Sequence, residues 1–281
     1  MMPADPAGPV WPVAGIILGP AVAAAGFRAR ALSRSGAVAA AVVGAVMLAA
    51  GGLAWALILL AFFVSGSALT AWRRGRAGRP AVGRDAAQVL ANGGVATLAG
   101  LMRLAFGAAG WRVGAAAGSG AGVTIWDLLA AGSLAAMTAD TWASEIGVLS
   151  GARPRLLIGG RVVAPGTSGA VSGPGTAAGL AGALVIATLA GAAFGGAAVA
   201  AAVLVGGVVG LFVDSWLGAT LQARFECRRC GRPVEVPRRH LLTCSGPVEY
   251  HGGLAWLDND GVNALGAACG ALVAAGAAAL L

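Results

Sequence analysis

Residues 138–175, TADTWASEIGVLSGARPRLLIGGRVVAPGTSGAVSGPG, place scarce charged side chains directly after an apolar run. Asp140 and Glu145 come first, three arginines follow, and a loop rich in Gly, Ser, Thr and Pro closes the stretch. Carboxylates bind divalent cations, whereas arginines and the backbone amides of glycine-rich loops bind phosphate. The stretch therefore predicts a metal- and phosphate-binding site at the end of a membrane helix.

The composition of the whole chain is that of a membrane protein. Hydrophobic residues make up 58% of the 281 residues and charged residues 11%, and the mean hydropathy is +0.82. Soluble domains carry about 25% charged residues, so this chain has too few polar groups to cover a globule in water. We predict an all-α polytopic membrane protein whose many Ala and Gly residues let its helices pack closely. The N-terminal MMPADPAGPV lacks the basic region of a cleavable secretory signal.

Eight apolar segments are separated by polar loops or by a break at Gly51 and Gly52. The predicted segments are 10–27, 36–50, 53–71, 86–107, 122–139, 176–195, 197–217 and 262–281. Most of the basic residues, 17 of 19, fall in four of the loops, 28–34, 72–85, 140–175 and 218–260. With eight segments these loops share one side, which the positive-inside rule makes the cytoplasm. We therefore expect a plasma-membrane protein with cytoplasmic polar loops and external termini.

All 19 basic residues are arginine, and the absence of lysine excludes several mechanisms. P-loops and protein-kinase sites both use a lysine on the nucleotide phosphates, and Schiff-base chemistry needs an amine. Phosphate binding must therefore rely on arginine, backbone N–H groups and metal. The arginines lie in short loops between apolar segments, which argues against nucleic acid as a partner.

Seven of the 11 acidic residues lie in or at the ends of apolar segments: Asp85, Asp127, Asp140, Glu145, Asp214, Asp258 and Asp260. At a helix centre each would cost about 2.5–3.5 kcal/mol to insert, so such residues are functional candidates. Capping or snorkelling explains any one of them, but six fall on the predicted cytoplasmic side and Asp127 near the opposite end. Asn92 shares a helix face with Asp85, and Asn263 shares one with Asn259. These oxygen ligands predict a shared site suited to Mg²⁺.

The loop at 165–176, PGTSGAVSGPGT, leads into the sixth segment. Its glycines let backbone N–H groups face an anion, and the following helix N-terminus attracts phosphate. Such a loop is a weak signal alone, but beside arginines and carboxylates it favours phosphate binding. It is not a dinucleotide fingerprint, because no strand precedes it and the third glycine is missing.

The predicted cytoplasmic insert at 218–260 contains CRRCGRPVEVPRRHLLTC (227–244). Its spacing predicts a structural Zn²⁺ site with three thiolates and one imidazole, at Cys227, Cys230, His240 and Cys244. In the cytoplasm the thiols would stay reduced, which disfavours disulfides. The alternatives are a small loop with incidental cysteines, or His251 as a substitute ligand. Cys269 lies in the last apolar segment and is expected only to pack there.

Seven motifs along the chain together resemble one known family. They are RALSRSGA (30–37), RDAAQVLANGG (84–94), ADTWASEIG (139–147), PRLL (154–157), VAPGTSGAVSGPG (163–175), DSWLGATLQ (214–222) and WLDNDGVN (256–263). The chain resembles the integral membrane family that includes plant and cyanobacterial phytyl-phosphate kinase and animal transmembrane protein 19. Ala170 departs from the family pattern, which has Gly there, and the Cys-bearing insert resembles that of bacterial members.

The resemblance implies phosphoryl transfer from a nucleoside triphosphate to a prenyl monophosphate, giving the diphosphate at the cytoplasmic membrane face. It implies catalytic Mg²⁺ ligands at Asp140, Glu145, Asp214 and Asp260. It implies substrate and phosphate binding by Arg153, Arg155, Gly166, Thr167, Ser168, Gly169, Ser172, Asn92, Asp85, Asp258, Asn259 and Asn263. The acceptor phosphate is already ionised at neutral pH, so no general base is required. The prenyl tail would lie among helices lined with Ala, Leu and Val.

Three other functions are compatible with parts of the pattern. A transporter or flippase for a phosphorylated lipid or ion would use polar groups at helix ends, but it predicts midplane acids and internal repeats. A CDP-alcohol transferase would also use Asp and Mg²⁺, but its sequence pattern is absent. A non-catalytic scaffold gives no reason for clustered acids. Prenyl chain length, the nucleotide donor and the oligomeric state are left open.

Overall fold

A computed structural model describes residues 10–76, 83–107, 123–231, 233–234, 236–240, 244 and 246–280. The helices in this part of the chain are α1 (Val10–Arg28), α2 (Arg34–Arg76), α3 (Ala86–Phe106), α4 (Ile125–Leu149), α5 (Gly173–Phe194), α6 (Ala197–Thr220), α7 (Pro237–His240) and α8 (Asn259–Ala278). The strands are β1 (Arg155–Leu156), β2 (Ala170–Val171), β3 (Arg224–Cys227), β4 (Pro233–Val234) and β5 (Val248–Gly252). β1 and β2 form an antiparallel ribbon between α4 and α5. β3 pairs with both β4 and β5 in an antiparallel sheet within the insert.

Six helices in the described ranges are long and apolar enough to cross a membrane: α1, α2, α3, α5, α6 and α8. At 43 residues α2 is too long for one span, and it turns back at Gly52, where φ is +60°. The contacts of Arg84 establish this reversal. A Cβ atom added to Gly36 would lie 1.9 Å from the Arg84 carbonyl oxygen, and one added to Gly66 would lie 3.1 Å from Arg84 Nη2. The two halves of α2, 34–51 and 53–76, are therefore antiparallel and supply two of the predicted segments.

Helix α4 lies at the centre of the bundle and contacts α2, α3, α5, α6 and α8. Nearly all of its residues from Asp127 to Thr141 are buried, with Leu128, Leu134 and Met137 wholly inaccessible. Because α4 is covered by protein on all sides, it tolerates acids that a lipid-facing helix would exclude. With α4 and the two halves of α2, about eight helical segments form the bundle, in agreement with the sequence-based prediction.

Glycines bring α4, α6 and α8 into backbone contact. A Cβ atom at Gly132 of α4 would lie 2.5 Å from the Ala274 Cβ, and one at Gly206 of α6 would lie 2.4 Å from the Gly270 carbonyl oxygen. Since neither space can hold a methyl group, only glycine permits these helices to approach so closely. Two further contacts establish the helix directions, since Gly270 of α8 lies against Ala136 of α4 and Gly210 of α6 lies against Gly266 of α8. Helix α8 therefore runs antiparallel to α4 and α6, which are parallel to each other.

Several helix boundaries differ from the predicted ones; α6, for example, ends at Thr220 instead of residue 217, and three other differences affect the acidic residues and the loops beside them. α4 continues to Leu149 instead of ending at residue 139, so that Asp140 and Glu145 lie inside a helix and not in a loop. Hydropathy underestimated the length of α4, because polar residues near its C-terminal end bond to α2 instead of ending the helix. For example, Trp142 Nε1 donates to Ser65 Oγ at 3.0 Å. α5 and α8 begin three residues early, since a side chain caps each of them (Ser172 and Asp258).

Asp127 is part of the structural core at the far end of α4. Trp55 Nε1 donates to its Oδ1 at 2.7 Å, and Arg103 Nη1 lies 3.0 and 3.1 Å from its two oxygens. The backbone N–H and the hydroxyl of Thr124 also donate to Oδ2, at 2.9 and 2.6 Å. Thirteen residues, or about 20 Å of helix, separate Asp127 from Asp140. Asp127 thus stabilises the opposite end of the bundle, away from the other acids.

Candidate functional site

Asp140 and Asp214 occupy matching levels on two parallel helices. A Cβ atom at Gly210 of α6 would lie 2.4 Å from the Ala136 Cβ of α4, so these two positions are in contact. Asp140 follows Ala136 by four residues, and Asp214 follows Gly210 by four residues. Four residues make about one helical turn and return to the same face of the helix. The helix register therefore brings both carboxylates to the same end of the α4–α6 interface.

Asn263 of α8 links Asp214 to α3. With its amide oriented to satisfy its neighbours, the nitrogen donates to Asp214 Oδ2 at 3.0 Å and lies 3.3 Å from the Asn259 carbonyl oxygen. The amide oxygen then lies 3.1 Å from the side-chain amide of Asn92. Gly266, one turn further on α8, leaves room for Asp214, whose Cβ would lie 3.2 Å from an added Cβ atom. Asn92, Asp214 and Asn263 thus form one polar junction of three helices.

The N-terminus of α8 completes this group of acids. Asp258 caps the helix, and its Oδ1 accepts hydrogen bonds at 3.1 Å from the backbone N–H groups of Asp260 and Gly261. Leu257 and Val262 pack against Leu217 of α6 and hold this turn in place. Asp260 is 8% exposed and precedes Asn263 by three residues, on the same helix face.

Asp140, Asp214 and Asp260 therefore lie on three helices that contact one another, α4, α6 and α8, and we call these three residues the acid cluster. Asp214 is 9% exposed and Asp260 is 8% exposed. Carboxylates buried this deeply need cationic or hydrogen-bonding compensation. Among the described residues, the group of three or more potential metal ligands that lie within 4.8 Å of one another is the Cys/His group of the insert, so Mg²⁺ binding by the three acids stays a prediction.

Glu145 of α4 bonds to side chains of α2. Its carboxylate accepts hydrogen bonds from Thr70 Oγ1 at 2.7 Å and from Arg73 Nη2 at 3.4 Å, and it forms an ion pair with Arg73 Nε. Five residues of α-helix rotate its direction by about 140° from that of Asp140. Glu145 thus pairs with Arg73 of α2 in this structure, and its role as a fourth Mg²⁺ ligand stays a prediction.

The predicted phosphate-binding arginines lie on an exposed ribbon. Arg153 is exposed, and Arg155 in β1 pairs with Val171 of β2. Arg155 Nη1 donates to the Gly160 carbonyl oxygen at 2.9 Å. No described contact joins either side chain to the acid cluster, so their part in phosphate binding stays a prediction.

The loop at 166–172 packs against the end of α6. Ser168 Oγ donates to Gln222 Oε1 at 2.6 Å, and Thr167 Oγ1 donates to the Ala164 carbonyl oxygen at 2.7 Å. Ser172 Oγ caps α5. Gly166 and Gly169 both have positive φ, and at Gly169 an added Cβ atom would lie 2.1 Å from the Ala219 nitrogen. These groups fix the loop to the bundle, and their contact with phosphate remains a prediction.

Asp85 also has a structural role in the fold. It caps α3, where its Oδ1 accepts from the Gln88 N–H at 2.9 Å, and Gln88 Oε1 accepts from the Asp85 N–H at 3.4 Å. This reciprocal pair is a capping box. Asp85 and Asp258 are therefore both helix caps, and any contact that they make with substrate would be additional.

The insert brings the four predicted zinc ligands together: the ligand atoms of Cys227, Cys230, His240 and Cys244 all lie within 4.8 Å of one another. The sulfurs of Cys227 and Cys244 are 3.8 Å apart, and Cys230 Sγ is 3.7 Å from His240 Nε2. Two sulfurs bound to tetrahedral zinc would be separated by roughly 3.8 Å. The alternative ligand His251 lies beside Glu226 instead.

The protonation of Cys227 also suits a metal ligand. Burial raises the pKa of its thiol, but hydrogen bonds from the Cys230 backbone and the His240 side chain outweigh burial and lower the pKa to about 6. The thiolate is the form that binds zinc. Gly231, at a φ of +61°, makes the tight turn after Cys230. The residues present therefore fit a structural zinc ion.

The groups around Glu145 were not predicted from the sequence. Ser67, Thr70 and Arg73 lie near the end of α2, and Arg84 directly precedes the capping residue of α3. The signal available was the arginine-rich 72–85 loop, which predicted topology alone. Sequence periodicity does not reveal that α2 folds back and places these side chains beside α4.

Comparison with known proteins agrees with this architecture. Residues 17–271 match the profile of the family described as integral membrane protein DUF92. Protein PGR of Arabidopsis thaliana is 30% identical over 269 residues, which cover 88% of this chain and 89% of that protein. An uncharacterized membrane protein of Methanocaldococcus jannaschii is 29% identical over 203 residues, covering 70% of this chain and 77% of that protein. No solved structure gives a significant match. The chain therefore belongs to the DUF92 family of integral membrane proteins.

Proposed function

We propose that this protein transfers a phosphoryl group from a nucleoside triphosphate to a prenyl monophosphate, in a reaction that depends on Mg²⁺. The observation that supports this function most is the acid cluster, in which Asp140, Asp214 and Asp260 lie on three adjacent helices at one end of the bundle. Oxygen ligands near a lipid headgroup suit a cation that carries phosphates. The arginine-rich loops favour the cytoplasmic side, where nucleotide is available.

Bound Mg²⁺ would neutralise phosphate charge and hold the attacking and leaving oxygens in line. Asp140, Asp214 and Asp260 would hold it, and Asn263 would orient Asp214 through its amide hydrogen bond. The acceptor oxygen belongs to an ionised phosphate, so no side chain has to remove a proton. The chain therefore contributes positioning and electrostatic stabilisation, for which side chains on rigid helices are well suited.

The direct test uses purified protein, Mg²⁺, several nucleoside triphosphates and prenyl monophosphates of several chain lengths. Formation of the prenyl diphosphate is the expected result, and folded protein that yields none from any pair would contradict the proposal. Asp140→Asn and Asp214→Asn should each abolish turnover at normal expression. Glu226→Gln, on the exposed surface of the insert, is the matched control and should keep the wild-type rate.

A transporter or flippase for a phosphorylated lipid or ion is the second candidate. Such proteins place ionisable groups near the bilayer midplane. Between Asp127 and Thr138, however, α4 carries only small or apolar residues and Ser133, whose hydroxyl donates to the Ala130 carbonyl oxygen at 2.9 Å. This core disfavours transport through the centre of the bundle. Movement of a prenyl phosphate across proteoliposomes without diphosphate formation would reverse the ranking.

For the insert, we propose that zinc is structural. The ligands form a closed set of four, with no open position for a substrate. The three strands have two to five residues each, so the insert can form only a small core of its own. Metal ligation would therefore supply much of its folding free energy.

A further inference from the structure

Arg84 is held rigidly between three helices. Its backbone N–H donates to the Ala31 carbonyl oxygen at 2.9 Å, and its own carbonyl oxygen accepts from the Ser33 N–H at 3.0 Å. Gly36 packs directly on that carbonyl group, which leaves no room for a side chain there. The position of Arg84 is therefore determined by the loop between α1 and α2 as well as by α3.

The Arg84 side chain extends into the bundle beside α2. Nη1 donates to Ser67 Oγ at 3.1 Å, and the guanidinium lies 5.9 Å from the Phe62 ring centre and 6.0 Å from that of Phe63. Burial lowers the pKa of Arg84, the charge of Glu145 raises it, and the charge of Arg74 lowers it. Within the described ranges, Ser67 is the one hydrogen-bond acceptor of this guanidinium, which has five N–H donors.

Arg73 brings a second guanidinium to the same region. It is ion-paired with Glu145, which also accepts a hydrogen bond from Thr70. Thr141 and Arg84 both border Gly66, where an added Cβ atom would lie 3.1 Å from Thr141 Cγ2 and 3.1 Å from Arg84 Nη2. Arg73 and Thr70 therefore bond to the Glu145 carboxylate, and Arg84 lies beside Gly66 at the same junction of α2 and α4.

We infer that Arg84 and Arg73 bind a phosphate group beside Glu145. The planar fork of arginine matches the oxygens of phosphate, and a chain without lysine depends on arginine for this contact. Glu145 is then an internal anion that occupies Arg73 until phosphate replaces it. This inference deepens the proposed function by naming groups that hold the substrate phosphates, since Thr141 and Glu145 follow Asp140 on α4. The ligand is either the prenyl monophosphate or the nucleotide.

The probe for this site is inorganic pyrophosphate, titrated calorimetrically into the detergent-solubilised full chain without Mg²⁺. Each charge-assisted hydrogen bond contributes about 1.5–3 kcal/mol, so Arg84→Gln should weaken binding roughly 10- to 100-fold. Arg84→Lys should weaken pyrophosphate binding less than Arg84→Gln, because lysine keeps the positive charge although it lacks the planar guanidinium. Arg161→Gln, on the exposed ribbon, is the control and should bind like the wild type.

Two further variants keep the inference testable if Arg84→Gln does not fold. Arg73→Gln should also weaken binding, and its partly exposed side chain makes a folding defect less of a concern than at Arg84. Glu145→Gln should tighten binding, because the competing carboxylate is gone, whereas a metal-ligand role for Glu145 predicts no gain. Wild-type affinity in folded Arg84→Gln and Arg73→Gln, or no pyrophosphate binding by the wild type, would overturn the inference.

Competition then identifies the source of the phosphate. Displacement of pyrophosphate by farnesyl monophosphate assigns the site to the lipid substrate, and displacement by a nucleoside triphosphate assigns it to the donor. Displacement by neither overturns the inference. Pyrophosphate binding without any prenyl diphosphate formation would contradict the proposed reaction and leave this phosphate site in place.

Discussion

The contact between Gly210 of α6 and Ala136 of α4 sets the helix spacing on which the acid cluster depends. In Gly210→Ala, the new Cβ atom would lie 2.4 Å from the Ala136 Cβ and 2.8 Å from the Gly266 carbonyl oxygen. Carbon atoms pack best at about 3.5–4.0 Å, so the helices would have to separate by roughly 1 Å. Neither neighbouring atom can rotate away, because one is a Cβ and the other belongs to the backbone.

This displacement should affect both stability and the site. Overpacking of this kind costs about 1–3 kcal/mol. Asp214 lies one turn from Gly210, so its 3.0 Å hydrogen bond to Asn263 would stretch toward 4 Å and be lost. If the protein is the proposed kinase, a misplacement of about 1 Å should lower turnover roughly 100-fold.

The assay is thermal unfolding in one detergent, followed by circular dichroism, with turnover measured on the same preparations. Gly94→Ala in α3 is the matched control, because nothing lies within 4 Å of its added Cβ atom. Alanine is favoured over glycine inside a helix by about 0.5–1 kcal/mol, so the control should be as stable as the wild type or more so. Equal melting temperatures for the two variants would refute the close packing of α4, α6 and α8.

Three other predictions test separate parts of the molecule. Cys227→Ser should reduce the zinc content measured by mass spectrometry, whereas Cys269→Ser in α8 should not. The wild-type protein should lose zinc as the pH is lowered, because protons compete with the metal for the ligand thiolates. Equal zinc content in both variants would remove Cys227 from the ligand set. Asp127→Asn should destabilise the protein by about 3–5 kcal/mol in unfolding experiments, because it breaks a buried ion pair, and the folded fraction should keep its turnover; an inactive but fully stable variant would contradict this structural role. Gly169→Ala should increase hydrogen exchange in the 164–172 loop, because φ is +73° there and Ala219 blocks a Cβ atom; unchanged exchange would show that the loop is not clamped on α6.

The membrane class and the helical segments could be predicted from the sequence, because apolar stretches of about 20 residues are long enough to cross a bilayer. The zinc ligands could also be predicted, because all four lie within a short insert whose spacing limits their geometry. The ends of the helices could be predicted less well from the sequence. Hydropathy ended one segment at residue 139, whereas α4 continues to Leu149 because its polar residues bond to α2.

The sequence by itself determined which residues are scarce and charged, and which of them share a face of their own helix. Helical periodicity relates Asn259 to Asn263 and separates the direction of Glu145 from that of Asp140. It carries no information on which helix covers each face. Tertiary structure alone decided that Asp140 and Asp214 lie at the same level of two packed helices, and that Glu145 pairs with Arg73. The physical reason is that helix register depends on contacts between residues far apart in the chain, which local patterns do not encode.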